Sequence, residues 1–502
     1  MTGGLQDHRV AVAYDHGARQ YPAPPFAPPV VYPELARLRG GRETDASNRV
    51  YPLVRQALRD LGLDAAHADS DQWNPLGDVI HPGDTVLLKP NLVRHVHGLG
   101  WDPLPLVTHA AVVRAIVDYV DLALGDGGAI VIADAPMPTA DFTAASELAG
   151  LQALAAWYER NRGRPLPLRD LRLTAALTTA SGYRSEHAGR SDDHDGGYVA
   201  VDLGSQSCLA QVSGAYAGLR VADSDPAAMR RHHNPQHHEY LIARQVLDAD
   251  VILNIPKLKT HRKVGVTAAL DNMIGINGHA DWLPHHRRGA RDNGGDEYWH
   301  RSRWKAISGH LLDLEEAQTN PQMKHLLRVA RRAAGGVSLL TCRDSFIEGS
   351  WWGNDTLWRS VLDLNRILYY ADRSGTLQLT PQRRVLTVID GIIAGEGEGP
   401  LEPTAKPSGV IIAGHNPVAV DAVAARMMGF DYQRIPIIAR AGEIKSYPLI
   451  DFPYSALAVR STRREWDRLD PLSPGMSLEF QPAAGWRGII ELAAHAIHDN
   501  RP

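Results

Sequence analysis

The chain is poor in cysteine, in aromatic residues and in net charge. Two cysteines in 502 residues, Cys208 and Cys342, cannot supply the four thiolates of an iron–sulfur cluster or an all-cysteine zinc site, so no iron–sulfur cluster is expected. They stand far apart in sequence, and buried free thiols are expected rather than a bridge. The net charge of -4 gives no overall basic field, which argues against nucleic acid as a partner. No apolar run approaches the ~20 residues of a membrane span. The opening MTGGLQDHRVAVAY lacks the charged start and apolar block of a secretory signal, so a cytoplasmic protein is expected. Neither a Walker loop nor a dinucleotide fingerprint is present. Oligomeric state is not legible in the sequence.

What is there is ordinary globular material, 44% hydrophobic and 22% charged, long enough for about three domains or one large α/β domain with insertions. The pattern is clearest from Gly83. DTVLLKPNL reads as a strand, THAAVVRAIVDYVDLAL as a helix with Thr108 as its cap, and GGAIVIADAP as a second strand, a parallel strand–helix–strand unit. EYLIARQVLDA reads as a helix and VILNIP as the strand after it. RRVLTVIDGIIAG and GVIIAGHNPVAVDAVAARMMGF give strand, loop, strand, helix, and WRGIIELAAHAIHD a closing amphipathic helix. A helix from near Ser47 and a strand at Ala11–Tyr14 precede these. The expected architecture is α/β, a mostly parallel sheet flanked by helices. It comprises an N-terminal extension (1–75), an α/β domain (76–440) with insertions at about 160–235 and 277–380, and a helical C-terminal segment (441–502).

The densest chemistry lies in VILNIPKLKTHRKVGVTAALDNMIG. An apolar strand stops at Pro256, and Lys257, Lys259, His261, Arg262 and Lys263 follow before a small-residue segment, Gly265–Leu270, that reads as a helix start. Basic groups past a strand's carboxyl end form an anion site. Three other strands also end in polar residues: Lys89, Asn91 and Arg94; Asp134 and Asp141; Asp390, Glu396 and Glu398. In a doubly wound sheet these ends share one rim, where ligands bind. Lys89, Asn91, Lys257, Lys259 and Arg262 are therefore expected to hold an anion, although Lys89 paired with Asp134 is an equally physical arrangement. His261, among cations that lower its pKa, is the expected proton carrier, with Asp134 or Glu396 as partner. Asp421, in an otherwise small and apolar helix, is expected to cap or pair internally, or to serve the site if that face points inward.

Histidines are numerous. His95, His97, His232 and His237, with Glu398, form a candidate set for a divalent metal, without any HExxH-type signature; satisfied surface histidines are the plainer alternative. Trp352, in GSWWGNDTLWR, could roof the crevice by stacking on a planar ligand or sugar, or could fill core beneath the insertion.

The ordered set LLKPNLV, THAAVVRAIVDY, VIADAP, NIPKLKTHRKVGVTAALDNMIG, DGIIAGEGEGP and GVIIAGHNPVAVDAVAARMMG resembles the family catalogued as domain of unknown function 362, over roughly Asp84–Phe430. Some members carry ferredoxin-type iron–sulfur motifs, which this chain lacks. A fainter likeness is to the nickel-pincer lactate racemase, where His261 and Lys263 are similar to metal- and cofactor-contacting residues. That enzyme's Gly-Thr-His element is replaced here by Ala135-Pro136-Met137.

The expected activity is that of an enzyme on a small anionic metabolite, carboxylated or phosphorylated, in a biosynthetic pathway. Its chemistry would be proton transfer (isomerisation, elimination or cyclisation), with a divalent metal as an optional aid. The alternatives are a non-catalytic protein that binds an anionic ligand and a glycan-modifying enzyme.

Overall fold

The computed structural model describes residues 4–178, 184–189, 197–212, 216–221, 226–342, 344–467 and 476–492. Its centre is a ten-stranded mixed sheet flanked by helices, an α/β fold. The elements that matter here are β1 (Arg9–Tyr14), α1 (Val50–Asp60), β2 (Thr85–Pro90), α2 (Ala110–Leu124), β3 (Ala129–Asp134), β4 (Leu168–Asp170), β5 (Val251–Ile255), β6 (Lys257–His261), β7 (Gly265–Thr267), α3 (Leu357–Tyr370), β8 (Arg384–Glu398), β9 (Glu402–Gly414), α4 (Pro417–Met428) and β10 (Ala458–Ser461). Strand order is β10-β1-β9-β8-β5-β2-β3-β4. β8, β5, β2, β3 and β4 are parallel, with Val251 level with both Val86 and Arg384. β9 runs against both of its neighbours.

Alternation along each strand explains the layering, because successive side chains leave opposite faces. Val86, Leu88, Val251, Leu253, Leu386 and Val388 pack with α1 and α2 on one side. Leu87, Ile252, Val385 and Ile389 pack with α3 and α4 on the other. Strands covered on both faces read as unbroken apolar runs, which is how VLL and VILNI appear in the sequence.

The site is positioned by a strand that overshoots. β8 continues well beyond the sheet edge and folds back as β9. Pro256 ends β5, since its nitrogen has no hydrogen to donate. The chain then resumes as β6, parallel to the outer half of β8, with Lys257 beside Asp390 and Lys259 beside Gly395. β7 returns antiparallel, pairing Lys259 with Thr267.

Several expectations are corrected. Gly265–Leu270 starts no helix: Gly265 sits at φ +87, and the β-branched Val266 and Thr267 complete β7 before a 3-10 segment, Asp271–Ile276. Glu239–Ala243 is a strand paired with Tyr198–Asp202, and only Arg244–Asp248 is helical. Thr108 does not cap α2. Its hydroxyl donates to Ile255 O at 2.6 Å, and the His109 ring accepts from Ala111 N instead. α1 begins at Val50, where Asn48 accepts from the Val50 and Tyr51 amides. Trp486–Leu492 forms no α-helix, and the rest of the expected closing helix lies outside the described residues. Residues 9–14 and 458–461, from the expected extension and C-terminal segment, are strands of the central sheet. α3, inside the expected second insertion, is a buried core helix. Both cysteines are free, Cys208 buried but Cys342 only partly so. Among the described residues no helix is long and apolar enough to cross a membrane.

Candidate functional site

The carboxyl ends of β2, β3 and β5 meet the overshooting β6 in a buried cluster of lysines, carboxylates and amides. Lys89 is ion-paired with Asp134, both fully buried, and donates further to Pro90 O at 2.9 Å. Asp134 also accepts from Leu92 N at 2.7 Å. The chain crosses directly over this pair at Gly275, where a Cβ would lie 2.1 Å from Asp134 Oδ1. Lys257 pairs with Asp390 at 2.8 Å and donates to the Tyr21 hydroxyl at 2.6 Å; Tyr21 in turn donates to Asp390. Tyr21 stacks on His109, whose burial beside Lys257 lowers its pKa to about 3.

Lys259 is different. Among the described residues no carboxylate lies within ion-pairing distance of it, and its Nζ donates to Asn91 Oδ1. Asn91 is the half-exposed member of the cluster; its amide donates to Asn272 Oδ1 at 3.0 Å, and Asn272 donates to Asn254 at 2.7 Å. Burial and the charges of Lys257 and Lys89 lower the Lys259 pKa to about 7, against the pull of Asp271 and Asp134. Asp271 faces the same space. Thr267, the cross-strand neighbour of Lys259, donates to Asp271 Oδ2 at 2.9 Å, and Oδ1 has no partner. Burial raises the Asp271 pKa to about 6 despite Thr267, Lys259 and Lys89. A cation and a carboxyl that both titrate near neutrality, each only partly satisfied, can exchange protons with a ligand. Beneath them Asp421 accepts from Ala269 N at 2.6 Å and Leu270 N at 3.1 Å; burial raises its pKa to about 8.

The remaining expected residues are distributed as follows. His261 is buried and its Nδ1 accepts from Lys263 N at 3.0 Å and Val264 N at 3.2 Å, so this nitrogen holds a turn. Burial first, then Lys263 and Arg262, keeps its ring neutral. Glu396 is engaged by Lys406 at 2.8 Å and by Gln481 N at 2.9 Å, and Glu398 by Ala484 N at 2.7 Å. Both brace the C-terminal segment against the β8–β9 hairpin. Arg262 is tied through its backbone to Gly399 and Trp486, and Arg94 donates to Leu401 O. Trp352 is half-buried in a cluster with Trp351 and Trp299.

The expected metal set does not gather. His95 accepts from Asp141 N, His97 lies against Pro403 O at 3.2 Å, and Glu398 is occupied as above. His232 and His237 belong to a different place, where Asp202, His237 and Glu239 bring ligand atoms within 4.8 Å of one another, and His232 Nδ1 is 2.9 Å from Glu239. These four could hold a divalent cation, but the imidazoles and carboxylates already pair with each other on an exposed surface. A cleft of about 290 Å³ lies elsewhere again, lined by Ser207, Cys208, Trp358, Arg366, Arg440 and Lys445.

Sequence reasoning missed Asp271, Asn272, Asn254 and Tyr21. Asp271 and Asn272 had a signal, a polar pair in the apolar run AALDNMIG. Tyr21, in a proline-rich stretch, had none.

Fold and site together define an α/β protein with a closed lysine–carboxylate cluster at the carboxyl edge of its parallel strands. The model of the family described as Domain of unknown function (DUF362) matches residues 189–426, as the ordered strand-end motifs led one to expect. Lys257, Lys259, Asp271 and Asp390 fall inside the match, and Lys89, Asn91 and Asp134 precede it. No curated protein and no solved structure matches the chain, and the likeness to lactate racemase gains no support.

Proposed function

We propose that the protein is an enzyme acting on a small anionic metabolite, carboxylated or phosphorylated, by proton transfer. One observation carries the reading: Lys259 and Asp271, brought together by Thr267 on adjacent strands, titrate at about 7 and about 6 inside a buried polar cluster. Between these values Lys259 is the acid and Asp271 the base, the combination that isomerisation, elimination or cyclisation needs. Asn91, a partly exposed member, orients the ligand, and the Lys259 charge attracts its anionic group. Lys89–Asp134 and Lys257–Asp390 are positioning pairs.

The test is solvent deuterium incorporation into a panel of carboxylated and phosphorylated metabolites. The wild type is expected to exchange a carbon-bound hydrogen in at least one of them, and Lys259→Met and Asp271→Asn to lose that exchange. A ligand that binds all three proteins equally and exchanges in none would favour the non-catalytic binding role.

A further inference from the structure

At the outer end of β6 the chain builds a second cationic cluster, distinct from Lys259. Lys263 is 6% exposed, yet among the described residues no carboxylate lies within ion-pairing distance of it. Around it stand Arg262, His261, His285 and His286, near enough for each to feel its charge. Three carboxylates also face Lys263: Glu348, Asp296 and Glu297. Asp296 is committed to Arg287 N, Asp355 N and Thr356, and Glu297 accepts from Gly289 N. Glu348 reaches Lys263 only at longer range.

The polar atoms here are left without partners. Among the described residues, Arg262 Nε and His286 Nδ1 are buried and find no hydrogen-bond partner. Buried donors are nearly always satisfied in folded proteins, and unpaired ones are costly. Two cations, with an orphaned guanidinium nitrogen and an orphaned ring nitrogen close enough to feel the charge of Lys263, call for an acceptor-rich, negatively charged partner. A metal ion does not fit, since Lys263 and Arg262 would repel it and no three ligating atoms here gather as they do at Asp202.

We infer that Arg262, Lys263 and His286 form a binding site for a tetrahedral oxyanion, a phosphate or phosphoryl group, beside the 277–380 insertion. Lys263 supplies the point charge and Arg262 an N–H donor; His286 donates from Nδ1 in the matching tautomer. The site stands independently of the proton-transfer reading.

The experiment is thermal melting and calorimetric titration of the full chain with inorganic phosphate. Millimolar phosphate is expected to raise the melting temperature of the wild type and of Lys259→Met. It should leave Lys263→Met unmoved, and bind Arg262→Gln about tenfold more weakly, the effect of losing one charge-assisted contact. Lys263→Met is also expected to melt above the wild type without phosphate, because an unpaired buried ammonium is removed. No rise in the wild type, or an equal rise in Lys263→Met, overturns the inference, the second result marking a general salt effect. Loss of the rise in Lys259→Met with retention in Lys263→Met also overturns it, moving the anion to the inner cluster. Should Lys263→Met not fold, the Arg262→Gln titration decides: unchanged phosphate affinity overturns the inference.

Discussion

Lys257 and Lys259 stand two residues apart on one face of the same short strand, and the fold treats them oppositely. Lys257 meets Asp390 and Tyr21 in a closed triangle, each group satisfying the others. Lys259 receives only an amide oxygen, and its natural counter-ion, Asp271, is held back by Thr267 with one oxygen unused. Burial is the same for both lysines. The difference is completeness of pairing, and it separates a residue that holds structure from one free to act on a ligand.

The comparison breaks most visibly at Asp390. Asp390→Asn leaves Lys257 buried without its counter-charge and replaces one of the two acceptor oxygens that serve Tyr21 and the His109 amide with a donor, and is expected to cost about 3–5 kcal/mol in urea unfolding. Asp271→Asn should instead leave stability unchanged or higher while lowering turnover about 10²–10⁴-fold, once a substrate is in hand. Its pH profile is expected to lack an acid limb near 6 that is expected in the wild type.

Stability against pH sharpens the contrast further. The folded Lys259 pKa lies below the ordinary 10.5, at about 7, so the unfolded chain binds more protons between these values. This residue's contribution therefore improves as pH rises from 7 towards 10.5, and its full penalty is present below 7. Lys259→Met is expected to be more stable than wild type at pH 6, with the gain shrinking through pH 8 to 10 in denaturant titrations. For Asp271, raised from 3.8 to about 6, the penalty grows between those values and is full above them. The smallest effect belongs to Glu396→Gln. Its partly exposed pair with Lys406 is worth less than about 1 kcal/mol, and turnover should not change.

The parallel core was legible because its strands are apolar on both faces and end in Lys, Asp and Asn. The convergence of Lys89, Asn91, Asp134, Lys257 and Lys259 at one edge follows from that pattern alone. The β6–β7 turn was not legible: small residues after a basic run suit a helix start as well as a strand, and only pairing with β8 decides. Glu396 misled for the same reason. Glycine-spaced glutamates resemble a site, but the hairpin turns their side chains towards a C-terminal segment distant in sequence. Asp271 was hidden because it reaches the cluster through Thr267, a contact that spacing on one strand does not reveal.

The first strand of the sheet carries a consequence for how the chain is made. β1 lies between β9 and β10, so its backbone has no native neighbour until some four hundred further residues have been synthesised. Until then RVAVAY is an unpaired apolar edge, open to association with other nascent chains. Sheet closure spans almost the whole polypeptide, which places this protein among slow folders whose recovery from denaturant depends on dilution.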